Sequence, residues 1–224
     1  MTMPSRLTIV GDLERPDHYH LPMDAKCYFW GEYTPRRHTQ GPAWDFSETN
    51  QLISNFKKKL DRQHLPDWRY KQQAIQTIGN ALSKHWDWPA LHSNGIALIP
   101  MPPSRPRNDQ MYDDRMLQVL ESVRNHTQLA LDIRDCLSFS GAYAASHETD
   151  DRPTPDQLYQ DLTIDVATAR VKPLPNAILL FDDMLTTGAH FVAAHRRLQE
   201  TFGEVQVVGC YVCRRRLPNP FGEL

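Results

Sequence analysis

The chain is poor in cysteine and glycine and has no long apolar run, and each shortage removes a class of protein. Four cysteines in 224 residues, Cys27, Cys136, Cys210 and Cys213, are too few and too scattered for a disulfide scaffold and fit a reducing compartment. None of the ten glycines is followed by lysine, and no Gly-x-Gly occurs. That excludes both the phosphate loop of the P-loop nucleotidases and the dinucleotide fingerprint. No run approaches the roughly 18 apolar residues of a membrane span, and residues 1–15 hold only Leu7, Thr8, Ile9 and Val10 as an apolar cluster, so neither a membrane nor export is expected. The expected location is cytoplasmic. A net charge of −2 argues against a strongly basic nucleic-acid binder, and the histidines show no helical metal-ligand spacing.

What is present is enough apolar content, 40%, for a globular core without staples. All five tryptophans lie in the first 88 residues. This suggests an aromatic-rich N-terminal cap over residues 1–92 and an α/β core over 93–224. In the cap, residues 26–33 read as a strand. Ser47 is placed to cap a helix with Leu52, Ile53, Phe56 and Leu60 on one face and Lys57, Lys58 and Lys59 largely outward. A second helix is expected over about 68–86, closed by Pro89.

In the core, residues 95–100 form an apolar strand followed by Pro100-Met101-Pro102-Pro103-Ser104-Arg105-Pro106-Arg107, a stiff basic loop. A helix burying Met116, Leu117, Leu120 and Val123 follows, with Asp113 and Asp114 at its start. Residues 128–133 read as a strand, 138–152 as a polar loop, and Thr154 with Pro155 and Gln157 as a helix start. The richest stretch comes next: Ala177-Ile178-Leu179-Leu180-Phe181-Asp182-Asp183-Met184-Leu185-Thr186-Thr187-Gly188-Ala189-His190. It combines a strand apolar on both faces, two acids at the strand's end, a small-residue turn and a helix start. Acids at strand ends face ligand crevices in α/β sheets, and a helix N-terminus offers free N–H groups to an anion. A further helix carries Phe191, Ala194, Leu198 and Phe202 and ends at Gly203, and a returning strand over 205–213 completes a βαβ unit. Cys210 and Cys213 on that strand read as packing residues.

Four apolar residues, two acids, two apolar residues and Thr-Thr-Gly resemble the phosphoribosyl-pyrophosphate (PRPP) motif of type I phosphoribosyltransferases. The proline-rich basic loop resembles that of the ComF-like (competence protein) branch, without that branch's N-terminal zinc module. The resemblance implies an α/β, parallel-sheet type I phosphoribosyltransferase fold with the cap added. It also implies that Asp182 and Asp183 hold the ribose hydroxyls and serve the transfer. Met184, Leu185, Thr186, Thr187, Gly188, Ala189 and His190 would wrap the 5′-phosphate, with His190 standing where the family has Thr or Ser. Ser104, Arg105 and Arg107 would face the pyrophosphate. Mg²⁺ would arrive chiefly bound to substrate, touching Asp182 and Asp183 at most. The implied activity is phosphoribosyl transfer to an unknown acceptor with release of pyrophosphate. The alternative is a non-catalytic PRPP- or nucleotide-binding module in DNA uptake, nucleic-acid handling or bacterial defence. PRPP or a related ribose phosphate is the expected partner; nucleic acid, through Lys57 to Lys59 or Arg214 to Arg216, and a homodimer stay open.

Overall fold

The structure, a computed structural model, describes residues 3–142 and 153–218. Its centre is β7 (Ala177–Leu185), whose apolar residues alternate between two cores: Ile178 and Leu180 pack into one, Phe181 and Leu179 into the other. A strand covered on both faces needs apolar side chains in consecutive positions, which is why this run lacks the usual alternation. β3 (Ile96–Pro100) and β8 (Gln206–Arg215) flank it in parallel. β2 (Lys26–Tyr33) lies parallel to β8, β4 (Asp132–Ile133) parallel to β3, and β1 (Thr8–Ile9) antiparallel to β2. The result is a six-stranded, mostly parallel mixed sheet in the order β1-β2-β8-β7-β3-β4.

One face is covered by α7 (Ala189–Phe202), the link from β7 to β8, which packs Phe191, Ala194 and Leu198 with Ile178 and Leu180. Beside it sit a two-stranded antiparallel sheet, β5 (Leu137–Phe139) with β6 (Leu162–Ile164), and two short helices, α5 (Pro155–Asp161) and α6 (Val166–Ala169). The other face carries α1 (Glu48–Phe56), α2 (Arg69–Leu82), α3 (Trp88–Ser93) and α4 (Arg115–Thr127). Leu52, Ile53 and Phe56 of α1 are buried there, and each contributes about 1.5–3 kcal/mol by leaving water. Contact between α2 and α4 depends on Gly79, where a Cβ would come within 2.4 Å of the Ser122 hydroxyl.

Local signals place many of these elements. Ser47 Oγ accepts from Asn50 N at the start of α1, and Thr154 with Gln157 forms a capping box on α5. Other expectations need correction. The boundary at residue 92 is not a break in the sheet: β2 pairs with β8 along its length, and Trp30, Leu52 and Ile78 share one core with Leu98, Phe181 and Cys213. The expected strand over 128–133 shortens to β4 because Gln128, at φ 57°, terminates α4 in a left-handed turn. The helix expected over 68–86 ends at Leu82, and Pro89 instead opens α3, which Asp87 caps by accepting from Ala90 N. Arg214 and Arg215, read with Arg216 as candidate nucleic-acid contacts, are buried residues of β8, with Arg214 paired to Asp17 and Glu32. All four cysteines are free and buried. The part of the expected polar loop at 143–152 lies outside the described residues. Among the described residues, no helix is long and apolar enough to cross a membrane.

Candidate functional site

The two acids, expected at the strand's end, lie inside β7, which runs on to Leu185. On the β8 side, pairing continues through Asp182 with Tyr211 and Leu185 with Arg214. On the other side β3 leaves after Pro100, and the last bond is Met101 N to Phe181 O at 2.7 Å. Positions 182–185 therefore overhang, and the loop between β3 and α4 departs from this same edge. Successive residues of a strand face opposite ways, so adjacent aspartates enter different environments.

Asp183 is buried and occupied. Its carboxylate accepts from Lys57 Nζ at 2.8 Å and from Arg115 Nε and Nη2 at 3.1 and 2.5 Å. Arg115 also donates to Asp113 at 2.8 Å, and Asp113 accepts from Lys71 Nζ at 2.7 Å. Lys71 is itself buried and donates to the Phe56 and Lys58 carbonyls at 2.9 and 3.0 Å. Three cations and two carboxylates thus tie the end of α1, the body of α2 and the start of α4 to β7. Burial alone would raise the Asp183 pKa, but Lys57 and Arg115 outweigh it and hold the carboxyl well below the usual range. Asp182 behaves oppositely. It is partly exposed, its Oδ1 accepts from Asp183 N at 2.7 Å, and crowding by protein, with the Asp183 charge second, pushes its pKa up to about 7.

The turn after β7 is shaped as expected but is partly covered. Gly188, at φ 89°, takes the left-handed conformation that starts α7, and a Cβ there would lie 2.7 Å from Leu21 Cγ. Residues 18–21 pack against this turn: His20 N donates to Thr187 O at 2.9 Å, and buried His18 bonds the Thr186 carbonyl through Nδ1. Of the expected phosphoribosyl contacts, Asp182, Met184, Thr186 and His190 are partly exposed; Asp183, Leu185, Thr187, Gly188 and Ala189 are buried. His190 stands edge-on to Phe139, with centroids 5.9 Å apart.

The basic loop starts on the same edge of the sheet, with Ser104 exposed at its tip. Its arginines have acidic partners within the chain: Arg105 pairs with Asp109 at 2.7 Å, and Arg107 forks onto Asp135 at 2.6 and 2.7 Å. Arg115 is the cation of this segment that meets a β7 acid. Sequence reasoning missed it, together with Asp113, Lys71 and Lys57. Lys57 did carry a signal: it lies four residues after Ile53, on the apolar side of α1. Among the described residues, no group of three or more His, Cys, Asp or Glu side chains could hold a metal ion. Asp182 is thus the one carboxylate of the β7 pair with room for an outside group. Compared with models of known protein families and with curated proteins, the chain matches none.

Proposed function

We propose that the overhanging end of β7 binds the ribose phosphate part of PRPP, within a type I phosphoribosyltransferase-like fold, and that the protein transfers the phosphoribosyl group to an acceptor. The observation that carries this reading is the order of features at one sheet edge. A partly exposed Asp182 precedes a turn through Gly188, which opens the 14-residue helix α7. The first N–H groups of a helix lack helical acceptors and its N-terminal end is positive, so the turn suits a phosphate approaching from the side of Thr186 and His190. Asp182 accepts from a ribose hydroxyl.

In the transfer, the acceptor's lone pair forms a bond to C1 while the C1–O bond to pyrophosphate breaks, and the electron pair leaves with the pyrophosphate. Negative charge at Asp183, joined by Asp182 once its carboxyl ionises near pH 7, favours the positive charge that develops on the sugar. Lys57, with 39% of its side chain exposed, can move from Asp183 to a phosphate oxygen while Arg115, at 17%, keeps the buried carboxylate paired. In this reading Mg²⁺ enters as part of the chelated substrate, with Asp182 and Asp183 its only protein contacts at most. Pyrophosphate release from Mg²⁺–PRPP, measured with a panel of purine, pyrimidine and amine acceptors, tests the transfer. Release with at least one acceptor, lost in Asp182→Asn, is expected. A second reading, binding without transfer, is favoured by the engagement of Asp183 with the chain's own cations; PRPP binding with no release for any acceptor would select it.

A further inference from the structure

Away from the β7 end, α1 and α2 border an open groove of about 720 Å³, a volume usual for small-ligand sites. Gln51, Ser54 and Asn55 reach it from α1 at the i, i+3, i+4 spacing of one helix face, and Tyr70 and Gln73 from α2 at i, i+3. Trp44, on the turn before α1, completes the wall. Three features of the lining converge on one ligand chemistry. Trp44 is a large aromatic ring left 53% exposed, as stacking platforms are. The amides of Gln51 and Gln73 each carry a donor and an acceptor, matching the mixed edge of a heterocyclic base, while Asn55 Oδ1 accepts from Lys58 Nζ. Lys58 and Arg62 line the groove and share one acid there, Asp67 pairing with Arg62 at 2.9 Å and with Lys58 at 3.8 Å, so two cations face one carboxylate that a phosphate would displace. Arg69 lies beside the groove, its guanidinium carbon 4.9 Å from the centre of the Tyr70 ring, while Lys58 Nζ is 5.7 Å from the same ring.

We propose that this groove binds a nucleotide, either free or as a unit of a single strand, with the base stacked on Trp44, the Gln51 and Gln73 amides on its edge, and the phosphate taking the place of Asp67 on Lys58 and Arg62. The site is separate from the β7 end. Lys57 turns to Asp183 and Lys58 to the groove, so consecutive residues at the end of α1 serve different places.

The test is a calorimetric and tryptophan-fluorescence titration of the full chain with AMP, CMP, adenosine, ribose 5-phosphate and short single-stranded oligodeoxynucleotides. Saturable binding of the mononucleotides is expected, weaker for adenosine and weaker still for ribose 5-phosphate. Trp44→Ala, at an exposed position, should weaken it on the order of tenfold. Gln73→Ala, a second exposed change, should weaken it without altering the melting temperature. Tighter, more salt-sensitive binding of the strands would identify nucleic acid as the source; equal binding would identify the free nucleotide. Ribose phosphates are also the proposed ligands of the β7 end, so the titrations are repeated in Asp182→Asn: the Trp44-dependent part of the binding should persist there, which keeps failure here distinguishable from failure at β7. Three results in the Asp182→Asn background would overturn the proposal: no saturable binding of any of these ligands, ribose 5-phosphate binding as well as AMP, or binding unaffected by Trp44→Ala.

Discussion

Adjacent aspartates replaced by asparagine should shift stability in opposite directions. Asp182 has its pKa raised from 3.8 to about 7, so at pH 8 the folded chain holds an ionised carboxyl where the surroundings favour the neutral form. At 1.36 kcal/mol per pH unit, the ceiling on that cost is about 4 kcal/mol. Asp182 is partly exposed, and solvent screening brings the expected gain in Asp182→Asn to about 1–2 kcal/mol. The asparagine oxygen also keeps the bond from Asp183 N. The sign depends on pH. A carboxyl whose folded pKa is raised retains a proton that the unfolded chain releases, so the native protein loses stability as pH rises from about 4 to about 7. The advantage of Asp182→Asn should therefore be full above pH 7 and absent below pH 4. Asp183→Asn does the reverse, removing the carboxylate shared by Lys57 and Arg115. Breaking a buried pair costs about 3–5 kcal/mol, and the lower end applies because Arg115 keeps Asp113. Urea unfolding at pH 5 and pH 8, with m-values compared, measures both. A destabilised Asp182→Asn at pH 8, or an Asp183→Asn that unfolds like the wild type, would refute the division of roles.

The same network predicts that Arg115→Met, which leaves two carboxylates short of a partner, costs about 3–5 kcal/mol. Lys57→Met, removing a half-exposed lysine, should cost about 1 kcal/mol or less in the same urea experiment. Gly188→Ala should cost at least the 1–2 kcal/mol of a left-handed non-glycine residue, and more because Leu21 blocks the Cβ; a lowered thermal midpoint checks this. His18 is buried with Nε2 unpartnered among the described residues, and burial lowers its pKa from 6.5. The unfolded chain then takes up a proton that the folded chain refuses, so this residue's contribution is present above about pH 6.5 and lost as pH falls further. In His18→Asn the stability difference between pH 7 and pH 5 should shift accordingly, seen by denaturation at both values.

The strands and caps that local chemistry dictates could be read from the chain. The apolar runs at 178–181 and 96–100 have no solvent face to alternate with, and Ser47 and Thr154 are followed at the right spacing by the groups they cap. The place of β2 in the main sheet was hidden, because its pairing with β8 joins residues nearly two hundred positions apart and leaves no local mark. The cations around Asp183 were hidden for the same reason: Lys57 lies 126 residues away and Arg115 lies 68. Composition counted the lysines but could not aim them. The motif at 182–188 marks the candidate site; long-range contacts leave one of its acids partly exposed and hold the other.

The most direct measurement is a calorimetric titration of wild type, Asp182→Asn and Asp183→Asn with Mg²⁺–PRPP. The account predicts saturable binding by the wild type and a loss of at least about tenfold in Asp182→Asn even though that variant is more stable, a tenfold change corresponding to about 1.4 kcal/mol. Wild type that fails to bind, or Asp182→Asn that binds as tightly as wild type, would contradict it.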